Sequence, residues 1–264
     1  MCRRPEQPVK RFATISVLVL LLGAPIAIAT LPASLLKHAV ARLPGVDAIR
    51  YNGSVWNGQT TLIIRGGPTG ELHWHLSKLR DPASPAPFNL QPTFNWSFAN
   101  AEIKVEGSVG LGSASAVLQT EGAIDSAAIA TLLNQFDIFL SGNFTLAPSA
   151  VSVPYNTQSL TQIKLAHPIE LVWSGGQVSY ILSNRFNQVA LPSLQGRLSL
   201  DTNGDARATI TPQSEQIEYL DLTLRNNGWV HIRLRRRFFD LVDQPWPGNQ
   251  AADEVVMEIE RQVL

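Results

Sequence analysis

His73 and His75 flank Trp74 in the segment Glu71-Leu72-His73-Trp74-His75-Leu76. In an extended strand two such residues project to one face, which is the arrangement a zinc site uses for a pair of imidazole ligands. A third ligand is missing from the pattern. His38, His167 and His231 are scattered, the only cysteine is Cys2, and no cluster of Asp or Glu surrounds the pair. A solvent-facing pair on a strand is the expectation, with no metal. Nucleophilic chemistry fares no better, because no Gly-x-Ser-x-Gly elbow or Ser-x-x-Lys pair stands in a context that also supplies an acid and a base. Asp240 and Asp243 lie close together beside Phe238-Phe239, but without a cleft they read as a polar turn after the last strand. Gly107-Ser108-Val109-Gly110-Leu111-Gly112 lacks the lysine and the strand-to-helix context of a phosphate loop, and reads as a flexible turn. The expectation is a protein that is not an enzyme, with no catalytic residue, metal or cofactor.

The densest charge cluster of the chain is Arg233, Arg235, Arg236 and Arg237. If the strand continues through it, Arg233, Arg235 and Arg237 share one face and form a stripe on which an acidic protein surface or lipid headgroups could dock. The same stripe serves equally as a sheet edge guarded by charge against aggregation. The six tryptophans, Trp56, Trp74, Trp96, Trp173, Trp229 and Trp246, are spread through the strands rather than interleaved with basic residues, so they are expected mostly in the core.

Positioning these residues requires a sheet, and the chain holds the pattern for one. Ahead of it, residues 12–31, FATISVLVLLLGAPIAIATL, are uncharged and apolar. At about 1.5 Å per residue they reach roughly 30 Å, the thickness of a bilayer core. Arg3, Arg4, Lys10 and Arg11 precede the span against a lone Glu6, which by the positive-inside bias keeps residues 1–11 in the cytoplasm and exports the chain from Pro32 onward. Ala27-Ile28-Ala29 offers the competing reading of a cleaved signal peptide. The apolar run continues through Leu31, and an uncleaved transmembrane helix is the preferred reading.

Lys plus Arg and Asp plus Glu number 21 each, which removes a global electrostatic case for nucleic-acid binding. Cys2 falls on the cytoplasmic side, so an exported domain has no cysteine to form a disulfide and must rest on packing and sheet hydrogen bonds. A short helix over 32–43 carries Leu35, Leu36, Ala39, Val40 and Leu43 at helical spacing, and Pro44-Gly45 ends it. From there to 246 the chain reads as β segments, among them Ile49–Tyr51, Ser54–Trp56, Thr61–Ile64, Glu102–Glu106, Ile169–Trp173, Gln177–Leu182, Gly196–Leu200 and Trp229–Leu234. Pro82, Pro85, Pro87 and Pro92 make 80–92 a loop or sheet-edge crossing. Asp125 caps a short helix over 126–133. Asp201-Thr202-Asn203-Gly204-Asp205 and Asn226-Asn227-Gly228 read as hairpin turns. Residues 247–264 read as a C-terminal tail or loosely held helix. The fold class expected is mainly β: a single N-terminal transmembrane helix followed by a large antiparallel, curved or twisted sheet with one or two short helices.

Three segments carry a family likeness. Tyr51-Asn52-Gly53-Ser54-Val55-Trp56-Asn57-Gly58 resembles the Gly-x-Val-Trp-x-Gly element that follows the anchor in type II secretion system protein N. Gly70-Glu71-Leu72-His73-Trp74-His75-Leu76 resembles that family's Leu-x-Trp-x-Leu segment, and Gly196-Arg197-Leu198-Ser199-Leu200-Asp201-Thr202-Asn203-Gly204 resembles its later Gly-x-Leu-x-Leu-x-x-Asp-Gly hairpin. Order and spacing agree over roughly residues 10–240. Ser77-Lys78-Leu79-Arg80 departs from the family's proline and leucine, and the proline-rich stretch is longer. The resemblance implies a single-pass protein of the Gram-negative inner membrane with a periplasmic domain 44–246. Its implied role is a non-enzymatic accessory of protein export across the outer membrane, with other secretion subunits as partners. The alternative is a periplasmic lipid-binding or lipid-transfer protein, since alternation serves an apolar groove as well as a core face.

The anchor reading has a direct test. Mass measurement of the mature chain is expected to find residues 12–31 intact; a chain beginning at Thr30 and free in the periplasmic fraction would overturn it.

Overall fold

The structure is a computed structural model that describes residues 28–42, 45–65, 67–80, 90–156, 162–182, 184–214, 217–244 and 246–262. Residues 1–11 with Cys2, residues 12–27 of the expected span, and Pro82, Pro85 and Pro87 lie outside the described residues. Among the described residues no helix is long and apolar enough to cross a membrane.

Alternation of apolar and polar side chains at a period of two dominates the chain, and the backbone follows it into strands. The first six are β1 (Val46–Gly53), β2 (Asn57–Ile64), β3 (Thr69–Arg80), β4 (Leu90–Ala99), β5 (Ile103–Leu111) and β6 (Ser115–Asp125). After a helical segment at 126–136 come β7 (Ile138–Leu140), β8 (Asn143–Pro154), β9 (Lys164–Leu165), β10 (Ile169–Trp173), β11 (Gly176–Leu182) and β12 (Arg185–Leu191). The chain ends with β13 (Leu194–Leu200), β14 (Ala206–Pro212), β15 (Leu220–Leu224), β16 (Trp229–Arg235), the helix Arg236–Leu241 and β17 (Val255–Gln262). A 14-stranded sheet runs β1-β2-β3-β4-β5-β6-β8-β10-β13-β14-β15-β16-β17, with β9 against β8, and a 3-stranded sheet runs β12-β11-β7. Every pairing is antiparallel. The antiparallel sheet with short helices is therefore as the alternation predicts.

Directly opposed residues in an antiparallel pair share a face, so the register assigns each side chain to one side of the sheet. One row follows the partners Leu72, Phe98, Val105, Gly122, Leu146, Leu171, Gly196, Ile210, Leu220, Leu234 and Met257 from β3 to β17. The opposite face carries a polar row, Glu170, Arg197, Thr209, Asp221, Arg233 and Glu258. The sheet is thus amphipathic across its width. The buried apolar side chains include Trp74, Phe98, Ile103, Trp173 and Val178, and among the described residues no large side chain is completely enclosed. Most residues of the apolar face are only half-buried.

The small sheet is a folded-back extension of three central strands. β7 leads into β8, β10 into β11 and β12 into β13, across a line formed by Ser141-Gly142, Ser174-Gly175 and Pro192-Ser193. Gly142 (φ +97°) and Gly175 (φ +78°) take backbone angles that a side chain disfavours. The serine hydroxyls stitch the line: Ser174 Oγ accepts from the Asn143 amide at 3.0 Å, Ser141 Oγ from the Gln177 amide at 2.7 Å, and Ser193 Oγ donates to the Ser174 carbonyl at 2.8 Å. Trp173 Nε1 closes it on the Ser141 carbonyl at 3.0 Å. The extension reaches the far side of the sheet through Tyr180 Oη, which donates to the Val242 carbonyl at 2.9 Å.

At the β1 edge the helical segment 33–40 packs against β1 and β2, burying Ala33. The expected strand at Ser54–Trp56 is instead the β1–β2 turn, because Ser54 Oγ accepts from the amides of Trp56 (3.2 Å) and Asn57 (3.1 Å) and so replaces ladder bonds. Gly107–Leu111 is not a turn but part of β5, where the Gln119 carbonyl oxygen approaches Gly107 too closely for any Cβ. Pro92 lies within β4, at the irregular register opposite Lys78 and Arg80, where a missing N–H is tolerated. The tail expected at 247–264 contains β17, whose alternation is obscured in the sequence by its charge. The expected helix after Asp125 is present, with Asp125 Oδ1 accepting from the Ala127 amide at 2.8 Å. Both expected hairpin turns form, with positive φ at Gly204 and Gly228.

A Cβ at Gly175 would stand 2.7 Å from the Leu191 carbonyl oxygen at a left-handed backbone position. Gly175→Val is expected to lower the unfolding free energy by about 2–4 kcal/mol, measured by urea unfolding of the full chain in detergent. An unchanged midpoint would show that the fold line is not rigid.

Candidate functional site

The polar face gathers the residues whose types suggest chemistry. His73 of β3 pairs with Ser97 of β4, which pairs with Glu106 of β5, which pairs with Glu121 of β6. With His75, Ser108 and His167, these side chains border an open cleft of about 640 Å³. β3 holds both histidines on one face, as their spacing requires. His73 Nε2 stands 3.5 Å from the Glu71 carboxylate, and His75 Nε2 lies 3.4 Å from Asn95 Nδ2. Ser108 Oγ donates to Gln119 Oε1 at 2.9 Å. None of these contacts forms a serine–imidazole–carboxylate relay. Among the described residues no group of three or more His, Cys, Asp or Glu is arranged to hold a metal ion. The cleft offers hydrogen-bonding groups and exposed charge.

Arg233, Arg235 and Arg237 do not share one strand face. Arg233 and Arg235 share one face of β16, the extra residue of the nearby register shift falling on β17, whereas Arg237 lies in the helix that starts at Arg236. Nor is β16 an edge, since β17 pairs along it. The acidic partners are specific. Arg233 Nη2 and Nε donate to Asp221 Oδ1 at 2.5 and 3.0 Å, and Arg207 Nε donates to Asp221 Oδ2. Arg235 Nη2 reaches Glu218 Oε2 at 2.7 Å, and Arg207 Nη2 takes Glu218 Oε1 at 3.1 Å. Arg237 lies 3.9 Å from the Asp253 carboxylate and 3.4 Å from the Ala252 carbonyl. Arg233 and Arg235 thus belong, with Arg207, to an ion network whose acidic members, Asp221 and Glu218, were the residues sequence reasoning missed. Asp221 was findable: it sits in the alternating run Leu220-Asp221-Leu222, on the polar side between two arginine-bearing strands.

Asp221 is only 2% exposed. Burial alone pushes its carboxyl up, but the hydrogen bonds from Arg233 and Arg207 and their positive charges outweigh that and hold it below the ordinary carboxylate value. Asp240 and Asp243 fall in and just after the helix Arg236–Leu241, where Asp240 pairs with Arg236 at 3.4 Å, one turn away.

The tryptophans divide by face. Trp74 and Trp173 are buried, Trp56 and Trp96 half-buried, and Trp229 exposed. Trp74 Nε1 donates to the Val55 carbonyl at 3.0 Å and Trp56 Nε1 to the Ile28 carbonyl at 2.7 Å. The Trp56 ring stacks on Phe94 with centroids 6.3 Å apart, covering the apolar face at its β1–β4 end. A second aromatic group, Phe238, Phe239 and Trp246, stands beyond β16.

No protein-family model, curated protein or solved structure matches the chain. The sheet has two chemically unlike faces, one ionic and hydrogen-bonding, the other apolar.

Asp221→Ala removes the acceptor shared by two guanidinium groups and is expected to cost about 2–3 kcal/mol of unfolding free energy at neutral pH. Because the folded carboxyl value is depressed, its contribution is complete above the unfolded value of about 4 and is lost as pH falls through the folded value. Urea unfolding of native and variant chains should therefore converge in acid; a constant difference at every pH would contradict the ionised role.

Proposed function

We propose that this chain is a non-enzymatic, inner-membrane-anchored accessory of the type II protein secretion system, acting through contacts of its periplasmic sheet with other secretion subunits. The observation that supports this reading is that the first two resembling segments form one contact unit. A Cβ at Gly58 would lie 2.6 Å from Trp74 Cζ2, so the indole requires glycine there. Trp74 Nε1 in turn holds the Val55 carbonyl, and the Leu76 amide donates to the Trp56 carbonyl at 2.6 Å. Residues that resemble a family pattern in order thus depend on one another in space. The third segment supplies β13 and its hairpin, where Asp201 Oδ1 accepts from the amides of Asn203 (2.8 Å) and Asp205 (2.9 Å). A tether in the membrane plane raises the local concentration of such a docking module near its partners.

A second reading, a lipid-binding or lipid-transfer protein, is favoured by the unbroken apolar face. Apolar surface of this extent, half-buried across strands, can accept acyl chains at about 25 cal/mol for each Å² removed from water.

Affinity recovery of the full-length chain from detergent-solubilised membranes is expected to bring down secretion subunits, and deletion of the chain to leave folded export substrates in the periplasm. Failure of both would remove the secretion role. Ile210→Asp with Leu222→Asp places charge on the apolar face. Under the lipid reading these changes lower the phospholipid recovered per chain, by mass spectrometry, below that held around the anchor; equal recovery counts against it.

A further inference from the structure

The two ends of the large sheet are finished differently. At β1 the preceding chain meets the β1–β2 turn, where Pro32 bridges Ser54 and the Val55 amide donates to the Leu31 carbonyl at 2.9 Å, and the helical segment 33–40 packs against β1 and β2. At the other end β17 is the last strand of the path, and among the described residues only β16 pairs with its stretch Val255–Arg261. An unpaired edge presents alternate N–H and C=O groups to any extended chain that can meet them.

The middle of β17 follows the two faces of the sheet, while at its ends Arg261 opposes Val230 on the apolar face and Val255 opposes Arg235 on the polar face. Met257 and Ile259 oppose Leu234 and Ile232 and so belong to the apolar face. They are 38% and 44% exposed, which places them among the most open large apolar residues of that face. Glu258 and Glu260 oppose Arg233 and His231 on the polar face. Their carboxylates are more than half exposed and make only long pairs, 3.8 Å to His231 and 3.6 Å to Arg225, while Arg233 is committed to Asp221. Over Met257–Glu260 the edge therefore presents apolar side chains on one side and acidic ones on the other.

This sorting selects the occupant. Two copies of β17 joined antiparallel, with their apolar faces continuous, bring Glu258 or Glu260 opposite a glutamate of the other copy in any register that pairs most of the strand. Like charges directly opposed destabilise such a ladder. A strand carrying lysine or arginine at alternate positions and apolar residues between them satisfies both rows and the backbone together.

We propose that β17 is a strand-addition site for an extended segment of a partner protein in which basic and apolar residues alternate. This deepens the docking reading above, on which it rests, by naming the surface and the chemistry it recognises. Backbone bonds supply the attachment, Met257 and Ile259 extend the apolar face by one strand, and Glu258 with Glu260 choose the partner's sign.

The test uses the full-length chain in detergent with two fluorescent peptides, each matching the 8 residues of β17, one alternating lysine and valine and the other glutamate and valine. Fluorescence anisotropy should show the lysine peptide binding at least about tenfold more tightly than the glutamate peptide. The double variant Glu258→Lys, Glu260→Lys should reverse that order, with circular dichroism confirming an unchanged sheet. Binding of neither peptide, or an order unaffected by the reversal, overturns the site. So does disulfide-linked dimer formation by Ile259→Cys at a rate that saturating lysine peptide does not slow, since a second copy would then be the occupant. Because no secretion subunit is present, failure here removes β17 as the site, whereas failure of the affinity recovery removes the docking role itself.

Discussion

Antiparallel register is the constraint on which the rest of this molecule depends. Each strand alternates apolar and polar side chains, and a slip of one residue in any pair would move that strand's apolar set to the opposite face. The ladder avoids such a slip from β3 to β17, so that Leu72 on one side of the sheet and Met257 on the other stand in one row. Where register shifts do occur, as between Ile49 and Asn52 or Thr120 and Gly122, the extra residue bends the strand and the face resumes beyond it. Amphipathicity is therefore a property of the assembled sheet, built from local alternation and long-range pairing together.

A single layer so built has two unlike surfaces and little enclosed core. Stability then comes from cross-strand pairs and from the covers at the margins. The helical segment 33–40 shields β1 and β2, the Trp56 indole lies over Phe94, and the folded-back small sheet reaches Val242 through Tyr180. On the other surface the ionic row performs the equivalent task, with Asp221 receiving Arg207 and Arg233 from the strands on either side. A carboxylate this buried is tolerable because both guanidinium groups meet it directly. Two of the arginines that the sequence sets in a stripe, Arg233 and Arg235, are thereby paired.

The alternating segments, the cap at Asp125 and the two Asn/Asp-Gly turns were legible because each is a local rule: period two, a side chain bonding a nearby amide, a positive φ. The misreadings were of residues whose state depends on a distant partner. Gly107 looks like a turn residue until the Gln119 carbonyl is brought beside it, and it is then a strand residue that must lack a side chain. Residues 255–262 look like a charged tail until β16 supplies a ladder. Arg237 looks like the next member of a strand stripe until the chain turns into a helix at Arg236.

By itself the sequence determined that this chain is a β protein, because side-chain alternation and turn chemistry act within a few residues and need no knowledge of neighbours. Only the tertiary structure decided which strands meet, where the chain folds back at Gly142 and Gly175, and which acids neutralise the arginines. Those are outcomes of long-range pairing, and a hydrogen-bond ladder joins residues by position in space, for which distance along the chain carries no information.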